Sequence, residues 1–170
     1  MTNPTQPLRD EHGELLPHIE SLKRAADSIG QTSPDALRTA VAASYDFLAH
    51  QLIPHAEAEE RALYPVVGRV LGAPEATRTM SRDHVEVGRL TDELRKLCSA
   101  IASVAPTAAQ VKELRRVLYG LYALVEVHFA KEEEVYLPIL DERLSAAEAR
   151  EMYQAMEAAA AEAKARAAEQ

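Results

Sequence analysis

The sequence predicts an all-α fold, an antiparallel up-down four-helix bundle with an additional C-terminal helix. Hydrophobic residues make up 47% of the chain while glycine occurs only six times, a balance typical of packed helices. Apolar residues recur at alternating spacings of three and four, the period of a helix with one buried face. Segments rich in proline and glycine divide the chain into long stretches. We therefore expect residues 1–141 to form the bundle and residues 142–170 to form a C-terminal helix and tail.

The first two helices are predicted over residues 7–30 and 34–70. The buried stripe of the first helix comprises Leu8, His12, Leu15, Ile19 and Leu22. The second helix begins after Ser33, a good N-cap residue followed by proline at the first helical position. Its stripe comprises Val41, Tyr45, Leu48, Leu52, His55, Glu59 and Ala62. Pro17 and Pro54 fall inside these helices and predict kinks.

The third and fourth helices are predicted over residues 74–104 and 107–141. Gly72-Ala73-Pro74 and Pro106-Thr107 mark their starts. A fifth helix follows the capping box that runs from Ser145 to Glu148. Because the connections are short, neighbouring helices should be antiparallel.

Two segments of the chain resemble each other, one on the second helix and one on the fourth. His55 to Pro65 and His128 to Pro138 each contain His-x-x-x-Glu, a second acid directly after it and a proline six residues beyond the first glutamate. Residues four apart share one face of a helix, so each segment presents an imidazole beside a carboxylate. The repetition predicts one site built from two related halves.

Histidines on the other two helices complete this site. His84 and His128 lie equally far along the chain from Pro106, and His12 and His55 lie almost equally far from Pro34. All four should therefore lie at nearly the same height. The predicted metal ligands are His12, His55, Glu59, His84, His128 and Glu132.

The chemistry of these six side chains predicts a pair of metal ions. Two carboxylates buried in an apolar core cost several kcal/mol each unless cations compensate them. Nitrogen and oxygen donors without thiolate favour iron or manganese, with zinc and copper as alternatives. A metal-free interaction bundle is the competing interpretation, because an isolated histidine on an apolar stripe is usually a core residue.

Several further residues are candidates near the site. His18 is a candidate additional ligand or gate, and Tyr45 and Tyr122 are the tyrosines expected closest to the centre. Acids adjacent to the ligands are expected mostly on solvated faces, because neighbouring helical residues point about 100° apart. They are Glu11, Glu60, Asp83 and Glu133.

The spaced set of His, His-x-x-x-Glu, His and His-x-x-x-Glu over residues 8–140 resembles the hemerythrin-like family, also called the HHE cation-binding domain. The resemblance implies a non-haem diiron centre bridged by two carboxylates and an oxo or hydroxo group. Dioxygen-carrying hemerythrins have an additional histidine on the third helix and an aspartate on the fourth. This chain has only His84 and Glu132 at those places, which puts simple reversible O2 carriage in doubt.

The function expected from this resemblance is binding of O2, peroxide or nitric oxide. Catalase- or peroxidase-like breakdown of peroxide and iron storage or donation are the alternatives. The C-terminal helix is expected either to cover the mouth of the site near residues 68–73 or to pack on the bundle or on another subunit.

The remaining features exclude other classes of function. A net charge of −8 argues against a nucleic-acid partner, and no stretch approaches the roughly 20 apolar residues of a membrane span. The N-terminus lacks the pattern of a secretion signal, and Cys98 has no second cysteine to pair with. We expect a cytoplasmic monomer or homodimer.

Overall fold

The computed structural model describes residues 3–169, and over this range it contains five helices and no strand. We number them α1 to α5. They are α1 (Gln6–Ser28), α2 (34–71), α3 (Arg78–Ile101), α4 (108–143) and α5 (Ala146–Ala168). Helix α1 packs against α2 and α4, and α3 packs against the same two helices. The predicted all-α bundle with an additional C-terminal helix is confirmed.

Helices α2 and α4 contain short π-helical turns. These turns are Leu48–Leu52, Glu59–Leu63 and Glu132–Tyr136, and each is followed by an α-helical segment whose second residue is a proline. Proline lacks an N–H group and crowds the preceding turn, which the wider π turn accommodates. At Pro54, where the sequence predicted a kink, the structure has a π turn that ends two residues before the proline. Helix α1, by contrast, continues through Pro17 to Ser28.

The third helix begins later than predicted. Gly72 ends α2 with φ of 64°, the left-handed conformation that favours glycine. Residues 74–77 then form a turn, with the amide of Arg78 donating to the carbonyl of Glu75 at 3.1 Å. Pro74 therefore starts a turn and not a helix, and α3 starts at Arg78.

Two clusters of buried apolar residues form the core. One includes Leu15, Leu52, Val87 and Phe129, and the other includes Leu8, Ala58, Met80 and Leu137. On each of the four bundle helices, the predicted ligands lie between residues of these two clusters. The bundle therefore encloses its polar side chains between two apolar layers.

Helix α5 packs along the outer side of α2, over residues 48–63. Met152, Met156 and Ala159 share a buried cluster with Ala58 and Leu63. The C-terminal end of α2, near residues 68–73, adjoins a cavity of about 640 Å³. This cavity is lined by residues of α2 and of the following turn. The structure thus favours the packing alternative for the C-terminal helix over a lid across that mouth.

None of the helices between residues 3 and 169 combines the length and the apolar character that crossing a bilayer requires.

Candidate metal centre

The structure brings the six predicted ligands together in the middle of the bundle. Glu59 and Glu132 are fully buried, and His12, His55 and His128 are no more than 3% exposed. The side chain of His84 is 10% exposed. Both glutamates are the first residues of π turns, which often occur at functional sites in helices.

Glu59 lies between two pairs of histidines. Its Oε1 is 2.9 Å from Nε2 of His55 and 3.7 Å from Nε2 of His12. Its Oε2 is 3.2 Å from Nε2 of His84 and 3.9 Å from Nε2 of His128. Two groups of ligand atoms, each compact enough to hold one metal ion, therefore share this carboxylate.

Glu132 faces the same space but has a different partner. The hydroxyl of Tyr64 donates to its Oε1 at 2.9 Å. The same hydroxyl lies 3.3 Å from Nε2 of both His84 and His128. The Oε2 atom of Glu132 is 3.5 Å from Nε2 of His12.

Each of the four histidines also contacts a carboxylate on a neighbouring helix through its outer nitrogen. Nδ1 of His12 lies 2.7 Å from Glu133, and Nδ1 of His55 lies 3.0 Å from Glu11. The second half repeats the arrangement. There, Nδ1 of His84 lies 2.8 Å from Glu60, and Nδ1 of His128 lies 3.1 Å from Asp83. A proton on Nδ1 would leave each Nε2 lone pair directed at the centre, as metal binding requires.

Residues 3–140 match the family model of the hemerythrin HHE cation-binding domain. The chain belongs to this family. Comparisons with curated proteins and with solved structures find no significant match. The HHE family and the shared carboxylate together fit a binuclear metal site.

The outer carboxylates of this HHE domain correct one expectation from the sequence. Glu11, Glu60, Asp83 and Glu133 were expected mostly on solvated faces, but each lies against the histidine of an adjacent helix. A rotation of about 100° from the inward face points a side chain toward the neighbouring helix of a bundle. The signal in the sequence was that each acid directly precedes or follows a ligand.

The tyrosine beside the centre is Tyr64, and neither Tyr45 nor Tyr122 takes that place. The hydroxyl of Tyr122 donates to Glu20 at 3.2 Å, and Tyr45 packs against the apolar cluster that contains Leu15. Tyr64 follows Glu59 by five residues, so a regular α-helix would turn it away from the glutamate's face. The π turn Glu59–Leu63 lies between them, and the sequence pattern alone did not reveal it.

His18 lies outside the six-residue cluster. It is exposed on α1, and its ring stacks on Phe47 with centroids 5.0 Å apart. The structure therefore gives no support to its role as an additional ligand or gate.

Burial and mutual charge shift the pKa values of these groups strongly. Burial raises the pKa of Glu132 to about 7, with the nearby charge of Glu59 acting in the same direction. Burial alone would lower the pKa of His55, but Glu59 and Glu11 outweigh it and raise the value to about 10. Burial also raises the pKa of Tyr64, so the phenol keeps its proton. Burial would raise the pKa of Glu59, but His55 and the other histidines outweigh it and hold that pKa well below its usual value, so Glu59 stays charged beside His55.

The donor set fits a pair of cations. Within residues 3–169, five buried atoms of the cluster have no hydrogen-bond partner: Nε2 of His12, Nε2 of His55, Oε1 and Oε2 of Glu59, and Oε2 of Glu132. Buried polar atoms without partners cost about 1–3 kcal/mol each. Imidazole and carboxylate lone pairs directed at one space are the donors that first-row metal ions accept.

Proposed function

We propose that this HHE domain holds two iron ions and binds a small oxidant or diatomic ligand such as O2, peroxide or nitric oxide. The observation that carries the proposal is the position of Glu59, whose two oxygens each face a different pair of histidines. His12 and His55 would hold one ion, and His84 and His128 would hold the other. Glu59 would bridge them, and Glu132 would be the second bridge.

The iron pair would supply redox change and Lewis acidity. The protein's residues fix the ligands and control the surroundings. Contacts from Glu11, Glu60, Asp83 and Glu133 hold each imidazole in the orientation that directs Nε2 inward. The apolar layers on either side, including Phe129 and Leu63, exclude bulk water from the buried carboxylates.

Peroxide breakdown is a second candidate function, and Tyr64 favours it. Its phenol is protonated, lies at the centre and donates to Glu132. A hydroxyl in this position can donate a hydrogen bond to a small oxygen-containing ligand beside the glutamates. A ligand carrier and a peroxide-consuming enzyme share this geometry, so turnover distinguishes them.

Metal analysis and absorption spectroscopy of the protein purified in air test the proposal. We expect two irons per chain and the absorption of a bridged ferric pair. The Glu59→Gln variant should lose the pair, whereas Glu57→Gln, which changes a partly exposed acid two residues earlier, should keep it. A wild-type protein without bound metal after expression in iron-replete medium would contradict the proposal.

A peroxide challenge on the same sample separates the two functions. Oxygen evolution at a rate that follows iron content indicates an enzyme. A reversible spectral change with O2 or nitric oxide and no turnover indicates a binding protein. Rapid loss of iron to a chelator would instead indicate the storage or donation alternative.

A further inference from the structure

We propose that a cavity between α2 and α3 is the antechamber through which small uncharged molecules reach the metal centre. The inference rests on the proposed function, because it names the route by which O2 or nitric oxide would arrive. The cavity has a volume of about 190 Å³. Its apolar lining is formed by Ile53, Ala56, Val87 and Gly88, and His84 forms part of its wall.

The cavity adjoins the centre at His84, which lines the one and belongs to the other. His84 is the most exposed of the four ligand histidines, at 10% of its side-chain surface compared with 2–4% for the other three. His84 lines the cavity, and its Nε2 lies 3.2 Å from Oε2 of Glu59. His84 is therefore the residue that connects the cavity to the shared carboxylate.

The lining favours uncharged occupants. An apolar cavity binds small apolar molecules such as xenon, whereas a charged ligand would lose its hydration there at a large cost. Glu57, Glu60 and Arg61 also line the cavity, but each is bound to a partner. Arg61 pairs with Glu162 at 2.7 Å, and Glu57 pairs with Arg166. Glu60 accepts a hydrogen bond from Ser81 at 2.9 Å and lies 2.8 Å from Nδ1 of His84, so the charged groups are engaged while most of the lining is apolar.

The space is large enough for diatomic molecules and too small for most organic substrates. A water molecule occupies about 30 Å³ in the liquid, so about 190 Å³ accommodates several small molecules. Drug-sized ligands occupy pockets of about 300 Å³ or more. The inference therefore commits to uncharged molecules of the size of O2 and nitric oxide.

The Gly88→Leu variant tests the route by filling it. Gly88 lies within α3, and a Cβ added there would meet no atom within 4 Å, so the larger side chain enters open space. Leucine also favours a helix more than glycine does, so folding should be retained. The matched control is Gly120→Leu, at a half-buried position within α4 whose added Cβ would make ordinary contact with Leu90 at 3.7 Å.

Stopped-flow association of nitric oxide with the iron-loaded protein gives the first measurement. Gly88→Leu should slow association about tenfold, and Gly120→Leu should stay within about twofold of the wild type. Azide is charged, so its rate should change far less in Gly88→Leu. Equal nitric oxide rates in the two variants would overturn the proposal, as would equal slowing of azide and nitric oxide.

Xenon binding, measured by ¹²⁹Xe NMR, gives a second measurement that needs no metal. The wild type and Gly120→Leu should bind xenon, and Gly88→Leu should lose this binding. Xenon bound equally by all three proteins would overturn the antechamber. A protein that binds xenon as expected but contains no iron would overturn the proposed function and leave the gas-binding cavity supported.

Discussion

Nδ1 of His12, on α1, lies 2.7 Å from Oε1 of Glu133, the residue of α4 that directly follows the buried Glu132. Arg9 also forms an ion pair with Glu133. One helix therefore supplies both an inner carboxylate and the outer carboxylate that orients a histidine of another helix. His84 repeats this relationship with Glu60, which follows the inner Glu59 on α2. His55 and His128 instead contact Glu11 on α1 and Asp83 on α3, and the four contacts together link the four helices in a ring.

Glu133→Gln should weaken metal binding without removing a ligand. Outer partners of metal-bound histidines typically contribute about 10–100-fold to affinity, so we expect a loss of this size. Competition with a metal chelator measures it. Glu134→Gln removes the same charge from the next, exposed residue and should bind metal as the wild type does. Equal affinities in the two variants would contradict the orienting role.

Tyr64→Phe should destabilise the metal-free protein and alter the spectrum of the iron-loaded protein. The substitution leaves the buried Oε1 of Glu132 without its donor, at a cost of about 1–3 kcal/mol. Urea unfolding and absorption spectroscopy measure the two effects.

Tyr136→Phe is the control for this substitution. It removes a hydroxyl that donates to the carbonyl of Ala76 at 2.9 Å, away from the centre. We expect some loss of stability from it and no change of spectrum. A spectrum that moves equally in both variants would show that Tyr64 has no special place at the centre.

Chelation should lower the unfolding temperature of the wild type, and iron should restore it. A ligand that binds only the folded state at 100 times its Kd adds about 2.7 kcal/mol of stability. Differential scanning calorimetry with and without iron measures the shift. Glu59→Gln should respond little to iron, and a metal-independent unfolding temperature in the wild type would favour the interaction-bundle alternative.

Met156→Ala should destabilise the whole domain, because α5 is part of the core. Met156 is 4% exposed and shares a buried cluster with Ala58 and Leu63 of α2. Truncating a buried methionine to alanine costs about 2–5 kcal/mol. Urea unfolding provides the measurement, and Glu157→Ala, at an exposed position, should cost far less. A C-terminal helix that is merely appended would tolerate both changes equally.

Asp141→Asn should lower the free energy of unfolding at neutral pH. It should also make that free energy depend less on pH in the acid range. Asp141 accepts two hydrogen bonds of 2.8 Å from Thr5 and one of 3.0 Å from Arg9. Burial would raise the pKa of Asp141, but these bonds outweigh it and hold the pKa below the usual value of an aspartate. A lowered carboxyl pKa adds stability above its unfolded value, and this contribution is lost as pH falls through the folded value.

Unfolding free energies of wild type and Asp141→Asn should therefore differ by about 1–3 kcal/mol at neutral pH and converge in acid. Asp10→Asn changes a nearby exposed acid that accepts a hydrogen bond of 2.8 Å from Gln6, and the unfolding free energy of this variant should follow that of the wild type at every pH. A gap between wild type and Asp141→Asn that does not close in acid would contradict the role of this carboxylate.

Much of the fold and the inner site could be predicted from the sequence. The three-four spacing of apolar residues reflects the geometry of a helix, and short connections require antiparallel neighbours. The histidines could be placed at one height because equal lengths of helix separate them from the same turn. The start of α3 could not be placed, because proline is compatible with both the first turn of a helix and the turn that precedes it.

The sequence by itself predicted that His12, His55, Glu59, His84, His128 and Glu132 share one buried level, because periodicity gives the inward face of each helix and the distance from each turn gives the height. Only the tertiary structure decided which outer carboxylate meets which imidazole, and that Tyr64 is the tyrosine at Glu132. Those contacts depend on how each helix is rotated against its neighbours and on where a π turn changes its phase. The rotation of the helices and the effect of the π turn both depend on side-chain packing between helices. The sequence of one helix taken alone does not specify that packing.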